Sequence, residues 1–298
     1  MSGATLLPVL VRIQSRPDAN LGLAALACLT GLSARRFHDR FTTAVGETPK
    51  AYTLRIRLER AAFWLLVQDA TLLDIALECG FRSHETFTRA FVRHFGRTPR
   101  AYREWIRGQM LQGPLPPSRA SAPPPGAEAL SRTRVMRMRE LDLAFIRHVG
   151  PYEDVPLPIF AELHEWATRT AVPGPRVWLG LGHDAPAITP AHLRRFDAAI
   201  VVPAPFASDG RVAHQRLPAG EFAVTTYVGA YDRLPEAYAE ITPRALALPG
   251  HELVGLPAVE IYHDVPATGR RVPHVDICLP LRPRRAPRRS PRRRRQAL

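Results

Sequence analysis

The strongest constraint on this chain of 298 residues is that it repeats itself. Near the front, at an offset of 50, Phe37 recurs as Phe87, Phe41 as Phe91 and Gly46 as Gly96. The run Thr48-Pro49-Lys50-Ala51-Tyr52 recurs as Thr98-Pro99-Arg100-Ala101-Tyr102. Slightly upstream the offset becomes 49, pairing Leu26-Ala27 with Ile75-Ala76 and Gly31 with Gly80. Such a segment must build one small unit twice. A short apolar helix over 23–30 or 72–79 ends at a glycine, which suits the turn between two helices. Ser33 and Ser83 stand where the second helix needs its N-cap. Phenylalanines four apart share one buried face. Gly46 and Gly96 can end that helix in the left-handed conformation, and Thr-Pro then opens the next one, threonine as cap and proline at the first position.

With the apolar face assigned to a core, the opposite face of the second helix carries Arg35, Arg36, His38, Asp39 and Arg40 in the first copy. The second copy offers His84, Glu85, Thr86, Arg89 and Arg93. These side chains suit base edges and phosphates. A solvated helix face is the plainer alternative, but residues 1–112 hold 16 basic against 9 acidic side chains, net +7, and the duplication adds to that. Both favour double-stranded DNA as partner. Between the copies, residues 49–68 have the periodicity of one continuous helix. Twenty residues span about 30 Å, close to the roughly 34 Å of one DNA turn. Such a rod can set two recognition helices in successive major grooves, so that a monomer reads an asymmetric site.

Residues about 5–107 resemble the DNA-binding domain of the AraC/XylS family of bacterial transcription regulators. The match is most specific over Ile75-Ala-Leu-Glu-Cys-Gly-Phe81, Phe87-Thr-Arg-Ala-Phe91 and Phe95-Gly-Arg-Thr-Pro-Arg-Ala-Tyr-Arg103. The resemblance implies an all-α double helix-turn-helix domain. It also implies base contacts at the positions of Arg35, His38 and Asp39 and of His84, Glu85, Thr86 and Arg89, with Arg36 beside them. RNA polymerase is an expected partner. Asp39 and Glu85 are acidic where such domains commonly carry Arg or Gln, so the operator sequence does not transfer.

The stretch 113–126 contains Pro114, Pro116, Pro117, Pro123, Pro124 and Pro125. It can neither continue a helix nor enter a sheet interior, and reads as an extended linker over 113–133. Coupling across such a tether need not be mechanical. Nine arginines from Arg282 onward, among prolines and with little to bury, read as a disordered tail over 282–298. No apolar run reaches the roughly 20 residues that cross a bilayer, and the first residues make a poor signal peptide. Cys28, Cys79 and Cys278 fit no disulfide or zinc framework. The expected setting is therefore the cytoplasm, with no membrane partner, cofactor or metal.

Residues 134–281, with 14 basic against 17 acidic side chains, are duplicated as well. Val149-Gly150-Pro151-Tyr152 matches Val228-Gly229-Ala230-Tyr231, and His183-Asp184-Ala185-Pro186 matches His263-Asp264-Val265-Pro266. Each copy reads strand (145–149; 222–228), helix (153–169; 234–246), then strands (177–182; 258–262) and (198–202; 275–279), with Asp197 and Asp276 opening the last. This pattern predicts an α+β domain with pseudo-two-fold symmetry and a groove between halves. Gly-x-Tyr and His-Asp-x-Pro read as turns, and His183 and His263 as structural. The repeat breaks where Gly180 in one copy stands opposite Glu260 in the other. A carboxylate with Trp178, Tyr227 and Tyr262 nearby suits a bulky cation.

This segment resembles the GyrI-like effector-binding domain of multidrug-sensing regulators. The resemblance rests on 148–156, 182–186, Leu217-Pro-Ala-Gly220, 228–231 and Val259-Glu-Ile-Tyr262, and ends in Asp276-Ile-Cys-Leu-Pro-Leu281. It implies a small-molecule effector, often a lipophilic cation, anchored by Glu260 in an aromatic groove. The sequence departs from the pattern over 241–250. Function is thus expected to be ligand-sensing transcription regulation without enzymatic activity. Hydrolysis of a reactive xenobiotic at Glu260 is one alternative, and a constitutive DNA binder whose second domain contacts protein is another.

Overall fold

The computed structural model describes residues 6–19, 21–111, 129–208, 211–255, 257–263 and 274–284. Helices come first: α1 (Leu7–Ser15), α2 (Leu23–Cys28), α3 (Ala34–Val45), α4 (Pro49–Val67), α5 (Leu72–Glu78), α6 (His84–Phe95) and α7 (Pro99–Leu111). Their ends follow from local chemistry. The Ser33 and Ser83 hydroxyls accept from the Arg36 and Thr86 N–H groups at 3.4 and 3.2 Å. Thr48 and Thr98 do the same for Ala51 and Ala101 at 3.2 and 3.3 Å. Each cap contributes about 1 kcal/mol. Gly46 and Gly96 close α3 and α6 at φ +79° and +69°, a conformation that costs a glycine little and other residues more.

Phe37, Phe41, Phe87 and Phe91 are fully buried, and the two pairs meet edge to face with ring centroids 5.6 and 5.3 Å apart. Helix α4 serves both cores. Its Tyr52 and Ile56 pack with Phe37 and Phe41, and its Leu58, Ala61, Ala62 and Leu65 with Phe87 and Phe91. One continuous helix therefore fixes the spacing of the two units. Arg57 on that helix locks their orientation, donating to the carbonyls of Pro17, Ala19 and Gly80 at 2.6, 3.1 and 3.0 Å.

The rest of the described chain is a mixed α+β unit. It comprises β1 (Ala129–Leu130), β2 (Arg134–Met138), β3 (Leu141–Val149), α8 (Pro158–Arg169), β4 (Trp178–Gly182), β5 (Arg195–Val202) and β6 (Ala213–Leu217). There follow β7 (Gly220–Val228), α9 (Leu234–Leu246), β8 (His251–Leu253), β9 (Ala258–Tyr262) and β10 (His274–Pro283). The strands form one antiparallel sheet in the order β1-β7-β10-β9-β4-β5-β3-β6, with β2 also on β7 and β8 on β10. The copies β3-α8-β4-β5 and β7-α9-β9-β10 join along β4 and β9. Gly180 faces Glu260 at that seam. Helices α8 and α9 bury one face of the sheet, through Phe160, Leu163, Ile241 and Ala245.

Several expectations need correction. The first helix of this unit starts at Pro158 rather than residue 153, and a short 3-10 turn occupies Tyr152–Asp154. Pro156 and Pro158 lack the N–H groups that a longer helix would use. Asp197 and Asp276 lie inside their strands, which begin at Arg195 and His274. The stretch read as linker contributes Ala129 and Leu130 to the sheet edge, and Arg282, read as the first tail residue, belongs to β10. Residues 113–128 and 285–298, the remainder of the expected linker and tail, lie outside the described residues.

The two units are also docked directly, which the proline-rich connection did not lead one to expect. Trp64 and Gln68 at the end of α4 donate to the Val254 and Leu253 carbonyls at 2.6 and 2.9 Å. Arg282 reaches Glu78 of α5 at 3.1 Å. Leu7 and Val11 of α1 pack on the sheet face that α8 and α9 leave open.

Candidate functional site

The recognition-helix positions project from α3 and α6 as their periodicity requires. Arg35, Arg36 and Asp39 are exposed and His38 is half-buried, its Nδ1 3.4 Å from the Asp39 carboxylate. His84, Glu85, Thr86 and Arg89 are exposed on α6. Thr86 differs from its neighbours because its hydroxyl is folded back on the cap, donating to the Ser83 carbonyl at 2.9 Å. Asp39 and Glu85 interrupt an otherwise basic surface, so the two helices present hydrogen-bonding variety rather than uniform positive charge.

The second candidate site lies under α8 and α9 at the centre of the sheet. Alternation along β9 turns Ala258, Glu260 and Tyr262 towards the helices and Val259 and Ile261 away. Glu260 is 7% exposed. One of its oxygens accepts from the Tyr238 hydroxyl of α9 at 2.9 Å, and the other from the Tyr262 hydroxyl. Burial pushes the Glu260 carboxyl above the ordinary glutamate range, against the opposing effect of the two phenols. Both phenols are pushed up in turn by burial and by the carboxylate beside them.

Aromatic rings enclose this carboxylate. Tyr262 meets Phe160 at 5.5 Å and Tyr231 at 5.9 Å, both edge to face, and Phe160 meets Trp178 at 6.3 Å and Phe196 at 6.4 Å. The opposing Gly180 is what lets the rings close in. A Cβ at that position would lie 2.6 Å from both the Tyr262 hydroxyl and the edge of Phe196.

Of the residues named from the sequence, Glu260, Tyr262 and Trp178 are brought together, Trp178 being the direct cross-strand neighbour of Tyr262. Tyr227 belongs to the same hydrophobic core but lies two strands away. It is separated from Tyr262 by Val275 of β10, and its hydroxyl donates to the Ala230 carbonyl at 2.9 Å. Sequence reasoning passed over Tyr238, Phe160, Phe196, Tyr231 and Tyr152. Two of these were in view as the tyrosines of the Gly-x-Tyr motifs, which turn the chain and also pack their rings against Phe196 and Tyr262.

On the opposite face of the sheet lies a buried ionic cluster. Asp197 accepts from Arg147 at 2.6 and 2.7 Å and from Gln215 at 2.8 Å, and pairs with His183 at 2.6 Å. Burial alone would raise the Asp197 carboxyl, but Arg147 and His183 outweigh it and hold the group below its usual range. His183 is itself pushed down by burial. His263 pairs with Asp276 at 3.0 Å in the second copy, so the same contact is built twice. A cavity of about 210 Å³ lies between this face and helices α1 and α4, lined among others by Gln14, Glu59, Arg60, His183, Asp184 and Gln215.

Among the described residues no group of three or more His, Cys, Asp or Glu is placed to hold a metal ion, and no helix is long and apolar enough to cross a membrane. Cys79 and Cys278 are buried thiols pushed up to about 12 by burial, and Cys28 is exposed.

Comparison with known proteins matches two separate segments of the chain. A helix-turn-helix domain model matches residues 26–104, and a GyrI-like small molecule binding domain model matches residues 133–282. The transcriptional activator NphR of Rhodococcus is 36% identical over 91 residues, 30% of this chain and 27% of that protein. The right origin-binding protein of Escherichia coli K12 is 35% identical over 100 residues, 33% of this chain and 35% of that protein. The chain thus spans about a third of the length of the curated relatives it matches. Among solved structures it is similar to the DNA-binding domain of AdpA in complex with a target DNA, with 29% identity, a TM-score of 0.35, and coverage of 36% of this chain and 97% of that one. It is also similar to the EcmrR C-terminal domain, with 18% identity, a TM-score of 0.41, and coverage of 51% and 97%.

Proposed function

This chain belongs to the AraC/XylS-type transcription regulators and carries a GyrI-like small molecule binding domain, and from that premise we propose how its two halves work. The helical unit binds promoter DNA through two recognition helices in successive major grooves. Arg35, Arg36, His38 and Asp39 act on one block of the site, and His84, Glu85, Thr86 and Arg89 on the other. The second unit binds a small lipophilic cation, with Glu260 as counter-ion, Tyr262 and Trp178 as inner wall and Tyr227 as outer support. Its product is a change in transcription rather than a chemical one. RNA polymerase is the proposed protein partner, and the cytoplasm the proposed setting.

The observation that carries this reading is a buried carboxylate whose partners among the described residues are two phenols, within a shell of aromatic rings. With no ionic partner among the described residues, Glu260 gains most from a charged group that can also lie against ring faces. Entry of a cation exchanges the phenol contacts for a full charge pair. Selection from random duplexes, with and without tetraphenylphosphonium, tests the whole. The expected site is non-palindromic, with two short specific blocks about one turn apart and an affinity that changes with the cation. A palindromic site, or one indifferent to every lipophilic cation that binds, would count against it.

The raised Glu260 carboxyl beside two phenols is also what a general base would need. Incubation with activated esters or epoxides distinguishes the two readings, and we expect binding without turnover.

A further inference from the structure

The aromatic chamber and the DNA-reading unit lie on opposite sides of one sheet, and an unbroken set of polar contacts crosses it. The set begins at Tyr152, whose ring stands 6.3 Å from Phe196 in the chamber wall. The Tyr152 hydroxyl donates to the Asp184 carbonyl at 2.8 Å and accepts from the Asp184 N–H at 2.9 Å. The Asp184 carboxylate then grips Arg195, accepting from its backbone N–H at 2.7 Å, from Nε at 2.9 Å and from Nη2 at 2.5 Å.

Arg195 and Phe196 are consecutive in β5, so their side chains leave the sheet on opposite faces. One ring stands in the chamber, and one guanidinium points towards the DNA-reading unit. From that guanidinium Nη1 reaches the Tyr52 hydroxyl of α4 at 3.4 Å, and Gln14 of α1 donates to the same hydroxyl at 2.5 Å. The Tyr52 ring in turn meets Phe41 of the first recognition helix edge to face at 5.7 Å.

We propose that Arg195, held by Asp184 and Tyr152, is the positioning residue that transmits occupancy of the Glu260 chamber to Tyr52 and so to the first recognition helix. This rests on the effector reading given above.

The strengths along the path are unequal, and that inequality is what makes it able to switch. The Asp184–Arg195 pair is buried and bidentate. The Arg195–Tyr52 contact is single and long, so a small displacement makes or breaks it. The neighbouring cavity of about 210 Å³ leaves space for such a shift. The amide of Gln14 is held on one side, its buried Oε1 having no hydrogen-bond partner among the described residues. A ring displaced in the chamber moves Phe196 or Tyr152, and each is tied covalently or by hydrogen bonds to the Arg195 segment.

The test is the affinity of the full chain for its selected duplex, with and without saturating tetraphenylphosphonium, in wild type and Tyr52→Phe. The variant keeps the ring and removes only the hydroxyl. In wild type the cation is expected to change duplex affinity at least about fivefold, the lower end of ordinary couplings. In Tyr52→Phe, cation-free duplex affinity and cation affinity should each stay within about twofold of wild type, and the cation-dependent change should shrink to less than about twofold. A merely structural loss would weaken both states alike and leave their ratio intact. A wild-type ratio retained in Tyr52→Phe overturns the proposal.

If the wild-type chain shows no cation effect, the sensing assignment fails, and the path is judged without ligand by amide hydrogen exchange. Tyr152 makes its described hydrogen bonds to residues 184 and 195 only. Tyr152→Phe should nevertheless speed exchange of the α4 amides around Tyr52 by about fivefold or more and leave α7 unchanged. Unaltered exchange in α4 overturns the path.

Discussion

A carboxyl that burial keeps above its usual range can bind a cation only after losing its proton. The proposed cation binding at Glu260 should therefore strengthen as pH rises through the raised value of that carboxyl, above the ordinary 4.5, and level off once the group is ionised. The stability of the empty protein moves the other way. The neutral carboxyl tolerates burial, so its contribution is full below the ordinary value and is lost as pH climbs through the raised one. Titrating tetraphenylphosphonium affinity against pH should give this rise in wild type. In Glu260→Gln the profile should be flat and the affinity about tenfold lower or worse. Gly180 has a prediction of its own. A methyl group there must displace Tyr262 and Phe196, so Gly180→Ala should cost about 1–3 kcal/mol in thermal or denaturant unfolding and weaken the cation as well. Glu260 was legible because a repeat is informative where it fails, and Gly180 is the other half of that failure. Tyr238 was not legible. Its phenol meets Glu260 only because α9 lies across the sheet, and nothing in the local pattern of a helix reveals what it will lie across.

Helices announce their ends through short-range chemistry, which is why α3, α4, α6 and α9 were readable to within a residue or so, whereas the start of α8 turned on two prolines. What the sequence did not disclose is that α4 is a clamp as well as a spacer. Arg57 ties the loop after α1 to the turn after α5, through three carbonyls that carry no sequence signature. Removing it leaves each recognition helix intact and frees their relative orientation. Arg57→Ala should therefore lower affinity for the complete site by about tenfold or more, yet affect binding to a duplex holding a single block by about twofold at most. Parallel binding measurements on the two duplexes check this, and equal losses on both would show that Arg57 supports only the general fold.

For the whole molecule, two tethered bodies were expected and two docked ones are found. Partners such as Trp64 and Val254 are 190 positions apart, and each residue would look at home in an isolated domain, so docking leaves no periodicity to read. DNA binding itself should follow electrostatics. If six to ten phosphates are contacted, affinity falls by about three to five orders of magnitude between 50 and 200 mM salt. A shallow salt slope would mean that the basic face of α3 and α6 is not what meets the duplex. Helix α4 also bears on how such a protein can change over generations. Because one helix completes two hydrophobic interiors, neither helix-turn-helix copy is a module that recombination can exchange. If the outer faces of α3 and α6 read the operator as proposed, new preferences must then come by substitution there, while the shared strut passes from parent to descendant undivided.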